Sequence, residues 1–227
     1  MDIGFLITTY NRQGACQSVV DALQGQGDIF VLNDGCDYDI SGARQVKRGF
    51  NFGKKDYWKT VNQLFGLRRR HKYYIMLPDD WMPIEGMAEK AVYLWENIAD
   101  DNKICLNLLY PAIKGLTNWT GFPAKDIGHV YQTQWVDMCF ICEERFFNVL
   151  GRLPRVRARA SSGVGRYISE KLNNLGYNLY QVKEELFTQQ EEHNISQMHN
   201  DKNSRISLNR ATKRTFDTRG KQSASTG

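Results

Sequence analysis

No apolar stretch in this chain approaches the roughly 20 residues that a membrane-crossing helix needs. The opening Met1-Asp2-Ile3-Gly4-Phe5-Leu6-Ile7 has no positive leader either. A soluble, intracellular (cytoplasmic) protein with no membrane partner is expected. Gly/Ser-rich and Pro-rich linkers are missing, so the 227 residues read as one compact domain with a tail. Cysteine is sparse and odd in number. Cys16, Cys36, Cys105, Cys139 and Cys142 lack the spacing of a disulfide scaffold, which agrees with a reducing compartment. Cys139 and Cys142 form a lone CxxC inside an apolar run and are read as small buried hydrophobes rather than a zinc or redox pair. No internal repeat is found. The net charge of +5 leans toward an anionic partner, for which a nucleotide alone would suffice.

The most informative stretch is Tyr73-Tyr74-Ile75-Met76-Leu77-Pro78-Asp79-Asp80-Trp81-Met82-Pro83. An apolar run of strand length halts at two adjacent carboxylates, and the tryptophan and proline that follow keep the backbone from simply continuing as a sheet. In an open α/β sheet the ligand crevice lies beyond the carboxyl ends of the strands, where paired aspartates can hold a hard divalent cation against a phosphate-bearing substrate. The competing reading is an N-cap or solvated turn before the next helix.

Around it the pattern alternates. Ile3 to Thr9 reads as a strand, Gln13 to Leu23 as a helix, and Ile29 to Leu32 as a strand closed by the turn Asn33-Asp34-Gly35. A helix is expected over Lys55 to Arg70, another over Ile84 to Ile98, and a strand over Lys103 to Leu109, as a parallel sheet requires. The second half is less regular: a strand over Trp135 to Cys142, a short helix over Glu143 to Leu150, a helix ending at Leu175, and a last strand over Tyr177 to Val182. From Asn200 large apolar residues give way to basic ones, Lys202 to Lys221, which predicts a mobile tail.

The order Thr8-Thr9-Tyr10-Asn11-Arg12, Asn33-Asp34-Gly35, Asn51-x-Gly53, Asp79-Asp80-Trp81-Met82-Pro83 resembles the nucleotide-sugar half of GT-A-fold glycosyltransferases of the family 2 type. Three further segments are similar to a smaller set of bacteriophage glycosyltransferases that modify DNA: Asn51-Phe52-Gly53-Lys54-Lys55-Asp56-Tyr57-Trp58, Ser162-Gly163-Val164-Gly165-Arg166 and His193-Asn194-Ile195-Ser196-Gln197-Met198-His199. The resemblance implies an α/β fold: a single GT-A-type, Rossmann-like domain with a mostly parallel central sheet flanked by helices. It would span residues 1–200 (donor half 1–110, acceptor half 111–200), followed by a basic tail at 201–227. It also implies a nucleoside-diphosphate sugar donor, UDP-glucose or similar, and a divalent metal, Mn2+ or Mg2+. Carried over by motif, Thr9, Tyr10, Arg12 and Asp34 take the base and ribose, and Asp79 and Asp80 take the metal. Thr8, Asn51, Gly53 and Lys54 complete the donor set. The family usually writes Asp-x-Asp. If Asp79 takes the second position, Leu77 stands where the first aspartate belongs.

Further roles follow from the chemistry required. A third metal ligand from late in the chain is His193, with His199 behind it, against the plain reading of exposed polar residues. Lys54 and Lys55 would bind phosphate by charge and helix N-terminus together, or lie solvated. An inverting transfer wants a carboxylate base. Ser162-Gly163-Val164-Gly165 offers none, so Asp137, inside the expected strand, is the candidate, with Asp80 second. Arg152, Arg155, Arg157, Arg159 and Arg166, preceded by Trp119 and other aromatics, suit the phosphates and bases of DNA, or only the sugar nucleotide. The leading expectation is therefore a metal-dependent transferase acting on a hydroxymethylated DNA base. The alternatives are a glycan, lipid or protein acceptor, or a nucleic-acid-binding module without catalysis. A nucleotidyltransferase lacks its Gly-rich basic loop here.

Overall fold

A computed structural model describes residues 1–109, 124–156 and 163–189. In chain order the elements are β1 (Ile3–Thr9), α1 (Gln13–Leu23), β2 (Asp28–Asn33), β3 (Arg44–Lys47), α2 (Tyr57–Gly66), β4 (Tyr73–Pro78), β5 (Trp81–Pro83) and α3 (Met87–Glu96). There follow β6 (Lys103–Asn107), β7 (Lys125–Asp126), β8 (Val130–Thr133), β9 (Phe140–Cys142), α4 (Glu144–Leu150), α5 (Val164–Asn174), β10 (Asn178–Val182) and β11 (Phe187–Gln189). Among the described residues the main sheet has nine strands in the order β3-β2-β1-β4-β9-β6-β10-β8-β7.

All seven residues of β1 are buried, as expected of a strand covered on both faces. Two apolar layers supply the cover. On one face α1 and α3 pack Val19, Leu23, Met87, Leu94 and Trp95 against Phe5, Ile7 and Ile75. On the other, α2, α4 and α5 pack Val61, Leu64, Phe146 and Ile168 against Leu6, Tyr74 and Met76. Strands β3, β2, β1 and β4 run parallel, with Thr9 level with Asn33 and Thr8 level with Pro78. Their carboxyl ends therefore open on one edge, and the Asp34 N–H extends the ladder to the Thr9 carbonyl at 2.8 Å.

The sheet is not parallel throughout. Strand β9 enters between β4 and β6 and runs antiparallel to both; strand and helix alternation carries no information about which strands become neighbours. The strand expected over Trp135 to Cys142 is only Phe140–Cys142. Ahead of it the Val136 N–H is taken by Ser169 Oγ of α5 at 3.0 Å rather than by a neighbouring strand. Asp137 thus lies in a loop, not inside a strand. Helix α3 starts at Met87, later than the Ile84 of the sequence pattern, because Gly86 adopts φ 72° as its cap. Strands β3, β5, β7, β8 and β11 were not expected. They are short and polar or sit at edges, where charge rather than apolar alternation is the norm. Cys139 and Cys142 are fully buried and free, as the sequence suggested. Trp119, Arg157, Arg159, His193, His199 and the tail 201–227 lie outside the described residues. Among the described residues no helix is long and apolar enough to cross a membrane.

The turn after β2 depends on one glycine. Gly35 holds φ +101°, and a Cβ there would come within 2.4 Å of the Asn51 backbone nitrogen. Gly35→Ala is expected to destabilise the fold by about 1–3 kcal/mol. Urea unfolding measures it, with an unchanged slope showing that the native fold is retained.

Candidate functional site

The carboxyl ends of β1 and β4 are joined by a buried ion cluster. Arg12, 6% exposed, places Nη2 at 2.8 Å from Asp79 Oδ1 and Nη1 at 2.8 Å from Asp80 Oδ2. The loop that delivers it turns at Asn11, whose φ of 54° is left-handed, a conformation asparagine tolerates better than most side chains. Tyr38 fastens that loop. Its hydroxyl lies 2.7 Å from Thr9 Oγ1 and accepts the Arg12 N–H at 3.2 Å.

Asp79 and Asp80 differ in environment. Asp79 is 1% exposed, and neither of its oxygens meets a well-aligned hydrogen-bond donor. Burial drives its pKa up to about 7, with Arg12 pulling down and Asp80 pushing up. Asp80 is 18% exposed, and among the described residues only its Oδ2 is engaged. Beyond Asp80 the chain does continue as a strand after all: β5 pairs antiparallel with β11 in a separate ribbon, Trp81 opposite Gln189.

These residues suit a divalent cation of a particular kind. Among the described residues Asp79 has buried oxygens short of well-aligned donors, the Thr9 hydroxyl being a minor one, and Asp80 has one oxygen without a partner. Yet no cluster of three or more metal-binding side chains exists among the described residues. Mg2+-like ions are commonly held by one or two carboxylates, with phosphates and waters completing the shell. The donor set therefore fits a cation that arrives with a diphosphate.

The second strand end is arranged differently. Asp34 is buried and receives Arg48 Nη1 at 2.5 Å, Thr60 Oγ1 at 2.9 Å and the Phe52 N–H. Its carboxylate is thus already committed to protein partners, a structural arrangement rather than the open ligand contact expected of it. Asn51 is likewise turned inward: its Nδ2 donates to the Asp34 carbonyl at 2.9 Å, and its Oδ1 accepts the Gly53 N–H. Lys54 falls in a single 3-10 turn, Lys54–Asp56, ahead of α2, so it is not in that helix's first turn. Tyr10 is half-buried beside Thr9.

Tyr57, at the start of α2, ties the parts together. Its hydroxyl is hydrogen-bonded to Thr8, and burial, together with the charges of Asp137, Asp34 and Asp79, pushes it up to about 12. The three carboxylates therefore converge on one end of the sheet. Asp137 Oδ1 accepts the Met138 N–H at 2.7 Å. Its side chain reaches solvent, yet surrounding protein raises its pKa. Gly165, in the first turn of α5, packs tightly over the Asp137 loop: a Cβ there would meet the Val136 carbonyl at 3.0 Å. Of the arginines, Arg152 and Arg155 are exposed, whereas Arg166 pairs with Glu170 on α5 at 2.7 Å. Arg48, Tyr38 and Tyr57 were not singled out from sequence. A half-buried arginine in the polar stretch after β3 gives no pattern to find it by.

No protein-family model and no curated protein matches the chain. Solved structures do. The chain is similar to GalNAc-T7 with UDP, GalNAc and Mn2+ (TM-score 0.62, 12% identity, 93% of this chain and 48% of that one). It is also similar to glucosyl-3-phosphoglycerate synthase from Mycobacterium tuberculosis with phosphoglyceric acid (TM-score 0.56, 15% identity, 93% and 79%). S. aureus TarS is a third (TM-score 0.56, 12% identity, 82% and 59%). The chain thus spans little more than half of the TarS structure it matches. The fold is GT-A, a mixed α/β sheet, mostly parallel, between helical layers.

Because the folded pKa of Asp79 lies above its unfolded value of about 3.9, the folded chain holds an extra proton in between, and stability falls as pH rises from about 4 to about 7. Asp79→Asn is expected to flatten that slope in metal-free buffer. Arg12→Ala, which leaves the buried carboxylate without its cation, is expected to cost about 3 kcal/mol or more near pH 8 and less near pH 5. Urea unfolding across pH measures both.

Proposed function

We propose that this chain is a glycosyltransferase that moves a sugar from a nucleoside diphosphate, UDP-linked, to a hydroxymethylated base in DNA. The donor half spans residues 1–110 and the acceptor half 111–200. The observation that carries the reading is the Arg12–Asp79–Asp80 cluster at the carboxyl ends of β1 and β4 of a GT-A sheet. That edge is where open α/β sheets bind ligands. Thr8, Thr9, Tyr10 and Arg12 line the first loop for the nucleoside. Asp34, Asn51 and Gly53 shape the second loop, and Lys54 stands beside it for phosphate.

A divalent cation, Mn2+ or Mg2+, would be held by Asp80 with Asp79 behind it, and supplies neutralisation of the departing diphosphate. Arg12 keeps Asp79 and Asp80 together at close range before any ligand binds. His193 is assigned as a third ligand. It follows β11, which ends at Gln189 opposite Trp81, by four residues in sequence. Asp137 is assigned to take the acceptor's proton because it is an exposed carboxylate on the loop that α5 crosses, at the end of the sheet where Asp34 and Asp79 also lie. Asp80 is second in that role.

The acceptor half of the reading rests on charge. Exposed Arg152 and Arg155 and the net charge of +5 favour a polyanion. Arg157, Arg159, Arg166 and Trp119 are assigned to the same surface. UDP among the contents of the GalNAc-T7 structure supports a UDP-linked donor.

The test is incubation of hydroxymethyl-containing DNA with labelled sugar nucleotides and Mn2+. Transfer is expected from at least one UDP-sugar, with Asp80→Asn lowering the rate by about a hundredfold or more. Transfer to a glycan, lipid or protein but not to DNA would replace the acceptor, and turnover of no donor at all would remove the enzyme reading.

A further inference from the structure

One side of α2 lines a groove that the donor site does not use. Its volume is about 610 Å³, and it is walled by Phe52, Trp58, Lys59, Gln63, Arg68 and Arg152, with Phe147 of α4 among the floor residues. Among the described residues that line it there is no carboxylate.

The polar groups it presents are donors. Gln63 Oε1 is spent on Arg48, accepting Nε at 3.0 Å and Nη2 at 2.5 Å, which leaves its NH2 without a partner among the described residues. Asn62 exchanges both amide groups with the Leu153 backbone at 2.8 Å, so it offers no acceptor either. Trp58 Nε1 is buried and has no acceptor among the described residues. Arg152 is exposed and has no ion-pair partner among the described residues. Lys59 and Arg68 do have partners at the rim: Asp56 at 3.4 Å and Glu144 at 3.1 Å. Such partly exposed pairs are weak and yield to a better anion. Cations also cover the aromatic faces. Lys59 sits 5.0 Å from the Phe52 centroid and Arg68 4.6 Å from that of Phe147, so charge rather than base stacking is what the groove displays.

A lining of donors, with carboxylates only in the two rim pairs, calls for an acceptor-rich ligand. A single phosphate would be met by cations converging on one point. Here they are spread out: Lys59 lies near the start of α2, the helix runs on to Gly66 about 10 Å of rise away, and Arg68 lies beyond that end. A repeating anion matches that spread. We propose that the groove along α2 binds the phosphodiester backbone of a nucleic-acid strand through Trp58, Lys59, Gln63, Arg68 and Arg152. The inference rests on the nucleic-acid reading of the acceptor and gives the strand its path. Because α2 begins at Tyr57, which is bonded to Thr8, a strand lying along this helix leads to the donor end.

The experiment is fluorescence anisotropy of a labelled single strand of roughly 12 nucleotides, a length within known site sizes, titrated with full-length protein over a range of salt. Lys59→Glu with Arg152→Glu is expected to weaken binding about tenfold or more and to reduce the slope of log affinity against log salt by about one or more. Trp58→Phe, which keeps an aromatic ring but removes the pyrrole half of the indole with its N–H, is expected to weaken it by a smaller factor without changing that slope. Inorganic pyrophosphate and UMP serve as competitors, and neither is expected to displace the strand at comparable concentration. The groove assignment is overturned if the strand does not bind, if the double variant keeps wild-type affinity and slope, or if UMP competes equally well. Strand binding that depends on the groove, with no sugar transferred to DNA, would uphold the groove and remove the acceptor reading.

Discussion

The site depends on a single guanidinium. Two adjacent carboxylates at a strand end repel each other, and one of them, Asp79, is almost fully buried. Arg12 makes that arrangement tolerable by reaching both at 2.8 Å. It can do so because Asn11 turns the β1 loop sharply and Tyr38 clamps Thr9 and Arg12 together. As pH rises through about 7 and Asp79 ionises, one guanidinium faces two carboxylates, of which Asp80 is the more exposed. The same interaction thus stabilises the turn and keeps a residual demand for a cation at its mouth.

The first 110 residues were legible in sequence because their elements obey simple periodicities. Residues 3–9 and 73–78 are apolar runs of strand length, and Asp79-Asp80 marks where the second run stops. The later residues were less legible, for identifiable reasons. Val136 and Asp137 look like strand residues by composition, but a serine of α5 takes the Val136 N–H and bends the chain away from the ladder. The insertion of β9 between β4 and β6 reflects pairing over long sequence distances, which no local pattern encodes. The motif residues Asp34 and Asn51 were found, but not what they do. Their partners, Arg48, Thr60 and the backbone at 52 and 53, come together only when the turn after β2 folds against α2.

Helix α2 connects the two halves of the account. Its first residue, Tyr57, touches Thr8 and feels Asp34, Asp79 and Asp137, so the start of the helix belongs to the donor end. Its flank, from Trp58 to Gly66, forms the wall of a groove edged with cations. The Arg48–Asp34 pair stands between them. Arg48 holds the second loop by Asp34 and, at 4.1 Å from the Phe52 centroid and bonded to Gln63, also shapes the groove's upper end. A polyanion in the groove and a diphosphate at the strand ends would therefore share one rigid element.

The central claim is that Asp80 and Asp79 hold a cation that comes with the diphosphate. Titration of Mn2+ into the protein, followed by electron paramagnetic resonance with and without UDP, tests it most directly. The account predicts weak binding of Mn2+ alone, much tighter binding when UDP is present, and loss of that gain in Asp80→Asn. It is contradicted if Mn2+ binds equally well without UDP, or if UDP binds as tightly in the presence of a chelator and in Asp80→Asn as in the metal-loaded wild type.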